Sequence, residues 1–103
     1  MIFAKKQSDL ARALVLHLGF DLTPTPQEDF ARVEAKLGKK RAEKVRPQLD
    51  RVLDQLARLQ PNWDRMTLDE AAHWAAAELQ ERWPELDARA YAAIVWAASY
   101  GWK

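Results

Sequence analysis

The sequence predicts an all-α protein, a compact single-domain bundle of about five helices whose fourth and fifth helices form an antiparallel, alanine-rich hairpin. No window shows the two-residue alternation of apolar and polar side chains that is typical of a half-buried strand. N-capping residues and glycine or proline stop signals bracket several stretches of helical length. The chain has 103 residues, 49% of them hydrophobic and 30% charged, and this is the size and balance of one globular domain over residues 1–103.

The first helix is predicted in SDLARALVLHLG. Ser8 can accept a hydrogen bond from the free N–H groups of the first turn, and Gly19 suits the left-handed conformation that follows a helix end. His17 lies in the last turn, where the helix dipole favours a cation, and Asp21 is its predicted partner four residues later.

The second helix is predicted in TPQEDFARVEAKLG, with Thr25 as its N-cap, Pro26 at its first position and Glu28 completing a capping box. Gly38 is expected to end this helix. Its apolar residues share one helical face. They are Phe30, Val33 and Leu37.

The third helix is predicted from an apolar seam with alternating spacings of four and three residues. Proline lacks an N–H donor and clashes with the preceding turn, so we expect this helix to begin at Pro47. The stretch KKRAEKV before it is then a separate short helix or turn. The seam consists of Val45, Leu49, Val52, Leu56 and Leu59.

The fourth and fifth helices are predicted from their capping residues. In TLDEAAHWAAAELQERW, Thr67 and Glu70 form a capping box, and the helix should stop before Pro84. Asp87 caps a fifth helix that runs from residue 88 to about residue 100. Because the connection is short and both helices are rich in small residues, an antiparallel hairpin is expected.

The fifth helix contains AYAAIVWAAS, which has no charged residue on any side. Such a helix is buried by the rest of the chain or by another molecule. We expect it to be central, wrapped by the other four helices, with an interface to a partner as the alternative. Tyr91, Ile94, Val95 and Ala98 are predicted to face inward, and Ala93 and Ala97 to lie on the other side with Trp96 and Tyr100.

The predicted core draws large apolar side chains from all five helices, because these fill a bundle interior best. Its members are Leu14, Leu18, Phe30, Val33, Leu49, Val52, Leu56, Trp74, Leu79, Ile94 and Val95.

The composition excludes several kinds of chemistry. The absence of cysteine rules out disulfides, thiol catalysis and cysteine-based zinc sites. Ser8 and Ser99 lack the context of a nucleophile, and Glu70 with His73 supplies only half of a di-metal motif. No catalytic residue, metal site or cofactor is therefore predicted. MIFAKKQSDL lacks the apolar stretch of a secretory signal, and the longest uncharged run has 13 residues, so a cytoplasmic protein with no membrane partner is expected.

Five tryptophans in so short a chain are a marked excess, and tryptophan is enriched at binding surfaces. The sequence therefore predicts a small protein-binding module without catalytic activity: an adaptor, an inhibitor or an immunity-type antagonist. Its partner would be another protein or a second copy of the chain. The predicted contact residues are Trp63, Trp96, Tyr100 and Trp102.

The segment 36–51 supports an alternative, a nucleic-acid-binding accessory protein, or equally a docking site for an acidic partner. Its outline with the second helix is similar to a helix-turn-helix. The break expected at Pro47, the lack of Asn or Gln between positions 36 and 46, and the excess of lysine over arginine count against base reading. Only Glu43 offsets the basic side chains there. They are Lys36, Lys39, Lys40, Arg41, Lys44 and Arg46.

Overall fold

The computed structural model describes residues 7–103, and its regular structure is entirely helical over that range. The Cα radius of gyration of 13.8 Å is close to the value of about 13 Å for a compact chain of 100 residues. The all-α fold is therefore confirmed. The stretch MIFAKK, on which the expectation about a secretory signal partly rests, lies outside the described residues. The helices are α1 (Asp9–Leu18), α2 (Phe30–Leu37), α3 (Lys39–Arg58), α4 (Leu68–Arg82) and α5 (Ala88–Gly101).

The first turns of α1, α3 and α5 meet at one end of the bundle, which we call the amino pole. Asp9 pairs with Arg41 at 2.5 Å, and the Ser8 hydroxyl donates to the carbonyl of Glu85 just before α5 at 3.3 Å. The last turns of the same three helices meet at the opposite end, the carboxyl pole, around Leu18 and Gly101. The end of α3 is also joined to the end of α4, because Gln55 accepts a hydrogen bond from the indole of Trp83 at 2.8 Å.

The short helix α1 is the centre of the fold. Seven of its ten residues are buried, and it packs against α2, α3 and α5. The expectation that the fifth helix is central was wrong, because α5 packs against α4 and α1 but not against α3. Leucines on several sides of α1 let it bury three faces at once.

The hairpin of α4 and α5 is confirmed and forms the most extensive helix–helix contact of the described chain. It is lined by small side chains that let the two axes approach closely. The Thr67–Glu70 capping box begins α4, Asp87 caps α5, and α5 ends one residue beyond the expected position. The fully buried alanines of the pair are Ala71, Ala72, Ala75, Ala76, Ala90 and Ala93, and the inward position of Ala93 corrects its expected outward placement.

The start of α2 differs from the prediction. The helix begins at Phe30 with Asp29 as its N-cap, not at the pattern around Thr25. The backbone N–H groups of Gln27 and Asp29 donate instead to the carbonyls of Leu18 and His17, at 3.0 and 2.9 Å. These bonds satisfy carbonyls at the end of α1, which a helix beginning at Pro26 would leave open.

Pro47 does not begin a helix but lies inside the continuous 20-residue α3. It sits on the exposed side, as does Glu43, whose carbonyl loses its partner because proline has no N–H. Water can satisfy that carbonyl on the solvent side, and so the helix continues through the proline.

Most of the predicted core is buried. Phe30, Leu56, Trp74 and Val95 are the exceptions, since they are only half-buried. The prediction missed Leu86, which is 1% exposed in the connection between α4 and α5. None of the helices within residues 7–103 is both long and apolar enough to cross a bilayer.

Candidate functional site

A cleft of about 310 Å³ separates α3 from α5 at the carboxyl pole. Leucine and alanine side chains from α3 form one wall, and the last turn of α5 forms the other. The end of α1 and the segment before α2 close the remaining side. We call this the α3–α5 cleft. It is lined by Leu18, Pro26, Glu28, Leu53, Leu56, Ala57, Ala97, Ala98, Gly101 and Trp102.

The cleft exists because α5 is longer than α1, one of the two helices it packs against. α5 has 14 residues and α1 has 10, and their first turns are level, so the last turn of α5 extends past the end of α1. Ala93 and Ile94 are fully buried on the inward face. One and two turns later on that face, Ala97 is half-buried and Gly101 is exposed. The inward face therefore continues beyond its packing partner into the cleft.

Along the apolar seam of α3, burial also decreases toward the carboxyl pole. Val45, Leu49 and Val52 are buried, whereas Leu56 and Leu59 further along are only half-buried. Each wall thus presents apolar surface that the described chain covers incompletely.

Two of the predicted contact residues lie together at the mouth of the cleft. Trp102 lines it and is half-buried, and its ring packs edge-to-face against Trp63 with 5.7 Å between centroids. Trp63 is 50% exposed in the loop after α3. This contact holds the loop against the end of α5 and leaves a large aromatic surface in solvent.

The other two predicted contact residues lie outside the cleft. Trp96 is half-buried and packs edge-to-face on Phe20 at 5.6 Å and on Tyr100 at 6.1 Å. Phe20 in turn lies under the guanidinium of Arg89 at 5.5 Å. Trp96 therefore joins the turn after α1 to α5, whereas Tyr100 is 40% exposed.

The six basic residues predicted as contacts are all exposed, and the structure does not bring them to the cleft. Arg41 pairs with Asp9 at the amino pole, and the guanidinium of Arg46 lies 4.3 Å from the ring centroid of Phe30. No carboxylate of the described chain forms an ion pair with the remaining four. These four are Lys36, Lys39, Lys40 and Lys44.

The resemblance to a helix-turn-helix does not extend to the connection. α2 and α3 are joined by Gly38 alone, whereas the motif uses a turn of about three or four residues. The objection from Pro47 fails, because α3 is continuous, but the side-chain objections to base reading remain.

His17 lies beside the cleft, and the prediction that it pairs with Asp21 was wrong. Its Nε2 atom is 3.7 Å from a carboxylate oxygen of Glu28, and Asp21 pairs instead with Arg89 at 3.0 Å. The buried Nδ1 atom has no hydrogen-bond partner within the described chain. Burial lowers the pKa of His17, because a second ring proton would lie unpaired in an apolar environment, and the charge of Glu28 opposes this shift.

This lowered pKa predicts the pH dependence of stability. The unfolded chain takes up a proton at His17 at a higher pH than the folded chain does, so acidification favours unfolding. The contribution is fully present above the ordinary histidine pKa of 6.5 and is lost as the pH falls toward the lower folded value. We expect His17→Gln to reduce the slope of unfolding free energy against pH between about 7 and 5, measured by urea titration. If the slope is unchanged in the variant, another titrating group causes the pH dependence of stability.

Among residues 7–103 there is no group of three or more His, Asp or Glu that could hold a metal, and Glu28 alone is ionisable among the described residues that line the cleft.

Glu28 and the α3 wall were not predicted as parts of a site. Glu28 was predicted to complete a capping box, and the α3 leucines were predicted to belong to the core. The excess of tryptophan was the one signal that pointed to this end of the molecule. No protein-family model matches this sequence, and neither the curated proteins nor the solved structures give a significant match.

Proposed function

We propose that the protein is a small protein-binding module that takes an apolar side chain of its partner into the α3–α5 cleft. One observation carries the proposal: the inward face of α5, fully buried at Ala93 and Ile94, continues into an open cleft at Ala97 and Gly101. Apolar clefts bordered by tryptophan are the usual sites of binding hot spots, and Trp102 forms part of this wall.

The size of the cleft supports a side chain as its occupant. Its volume of about 310 Å³ is at the lower end of the range of roughly 300–1,000 Å³ for ligand pockets. This corresponds to about ten waters at ~30 Å³ each, which is space for one large side chain or two small ones. Trp63 lies beside the cleft, against Trp102, where it can contact the rest of the partner segment. A module of this kind acts as an adaptor, an inhibitor or an antagonist.

The sharpest test fills the cleft without disturbing the fold. Apart from its two chain neighbours and the nearby backbone of α5, a Cβ atom at Gly101 would meet no heavy atom of the described chain within 4 Å. Gly101→Leu should therefore fold, and removing a helical glycine stabilises by up to about 1 kcal/mol. Peptides selected from a random library on the wild-type protein are expected to bind Gly101→Leu at least about tenfold more weakly. Affinity would be measured by fluorescence anisotropy and folding by thermal melts.

Matched variants control for the substitution itself. Gly101→Ala leaves most of the cleft open and should keep the peptide affinity, and Lys40→Leu adds a leucine at the amino pole, far from the cleft. Peptides that bind all variants equally, or the selection of none, would overturn the proposal. A wild-type dimer that becomes monomeric with Gly101→Leu in sedimentation would replace the foreign partner with a second copy.

A nucleic-acid function rests on a different observation, the lysines of the amino pole that lack ion-pair partners in the described chain. Changing Lys39, Lys40 and Lys44 together to alanine would then weaken binding to labelled DNA or RNA at low salt, and Gly101→Leu would leave it unchanged. That pattern of results would show that the lysines of the amino pole bind nucleic acid and that the cleft does not.

A further inference from the structure

The described lining of the α3–α5 cleft carries a single charge, and that charge is negative. Glu28 is the one ionisable side chain among its described lining residues, and 67% of that side chain is exposed. Its ion-pair neighbour in the described chain is His17, at 3.7 Å. Burial lowers the pKa of His17, so the ring resists taking up the proton that would neutralise the charge of Glu28.

Three basic side chains on the elements around the cleft have other partners in the described chain. Arg58, at the end of α3, pairs with Asp54 at 3.0 Å, and the Lys103 ammonium lies 4.2 Å from the ring centroid of Tyr100. Arg32 donates to the carbonyls of Leu16 and His17 at the end of α1. A cation brought by a partner would therefore meet the carboxylate of Glu28 without competition from these three groups.

The helix ends add to this charge. The last turn of α5 lines the cleft and contains no basic residue of its own, so its terminal carbonyls add a partial negative charge, which Lys103 beside Tyr100 offsets in part. Trp102 adds a ring beside the same space, and the face of an indole attracts a lysine or arginine.

We infer that the partner segment carries a lysine or arginine next to the apolar side chain that enters the cleft. This inference rests on the proposed function and specifies the partner. The apolar side chain contacts the leucine and alanine walls, while the cationic group lies at the rim between Glu28 and Trp102. The lysines of the amino pole are at the other end of the molecule, where they would repel such a segment only weakly at physiological salt.

The experiment uses the wild-type protein and peptides selected from the random library. Sequences with Lys or Arg within about one helical turn of the apolar anchor should predominate. For one selected peptide, replacing that cation by Gln should weaken binding about two- to fivefold, the usual range for an exposed ion pair. Replacement by Glu should weaken it further.

Glu28→Gln tests the protein side of the same contact. It should remove most of the preference for the cationic peptide over its Gln form, whereas Glu85→Gln, near the amino pole, should keep that preference. Selected sequences with neutral or acidic flanks, or a preference unchanged by Glu28→Gln, would overturn the inference. If Gly101→Leu still abolished binding in that case, the cleft would remain the docking site and only the partner's charge would be wrong.

Discussion

Replacing Leu14 by alanine is expected to lower the free energy of unfolding by about 3–5 kcal/mol. Leu14 is fully buried in the middle of α1, and α1 packs against α2, α3 and α5. Because helices surround Leu14 on three sides, the cavity left by its truncation cannot collapse easily. The loss would be a large part of a total stability of roughly 5–15 kcal/mol, and urea denaturation followed by circular dichroism measures it.

Leu22→Ala is the matched control. Leu22 is 58% exposed in the turn after α1, so its truncation should change the unfolding free energy by no more than about 0.5 kcal/mol. A loss below about 1.5 kcal/mol for Leu14→Ala would contradict the central position of α1.

The second large effect is expected at Arg32. Its guanidinium donates to the carbonyls of Leu16 at 2.6 Å and His17 at 3.0 Å, and also to the carbonyl of Gln27. The side chain is 22% exposed. Hydrogen bonds from a charged donor contribute about 1.5–3 kcal/mol each, and partial exposure reduces this, so we expect Arg32→Met to lower the unfolding free energy by about 2–4 kcal/mol.

Two further variants separate geometry from charge. Arg32→Lys keeps the charge, but a single ammonium cannot reach all three carbonyls, and it should recover less than half of the loss. Arg82→Met removes an exposed arginine 4.0 Å from Glu78 and should change stability by less than about 0.5 kcal/mol. Equal effects at positions 32 and 82 would show that Arg32 acts only as a surface charge.

Local signals predicted most helix ends correctly. Ser8, Thr67 and Asp87 cap their helices through hydrogen bonds within three residues, so the information lies in the sequence nearby. The start of α2 could not be predicted in this way. Its capping pattern at Thr25 is adequate locally, but the N–H groups of that segment bond to α1 instead, and only the packed structure reveals this competition.

Pro47 is a second position where the local sequence was not sufficient to predict the helix bounds. The rule that proline ends a helix concerns a lost hydrogen bond, and its cost depends on whether water reaches the open carbonyl. Exposure is a property of the tertiary structure, and therefore the sequence could not show that α3 continues to Arg58.

The candidate site was predictable in part. The tryptophan excess pointed to Trp102 and Trp63, which do meet at the cleft. The cleft itself depends on how far α5 extends beyond α1, and hence on the register of two helices about 70 residues apart in sequence. The sequence of neither helix shows how far one extends past the other, and therefore it could not predict that Glu28 and Leu56 lie in one site.

The positions of the lysines and of Glu28 at opposite poles give the surface charge of the molecule a direction. Lys39, Lys40 and Lys44, which have no ion-pair partner within residues 7–103, lie at the amino pole with the positive ends of α1, α3 and α5, and Glu28 lies at the carboxyl pole. The antiparallel α4 opposes the contribution of the helix dipoles, so these side chains carry the asymmetry. In the field of a charged partner such a body experiences a torque before any atoms touch. Encounters would therefore begin already aligned, with the cleft turned toward positive surfaces, and this alignment would weaken as added salt shortens the reach of the field.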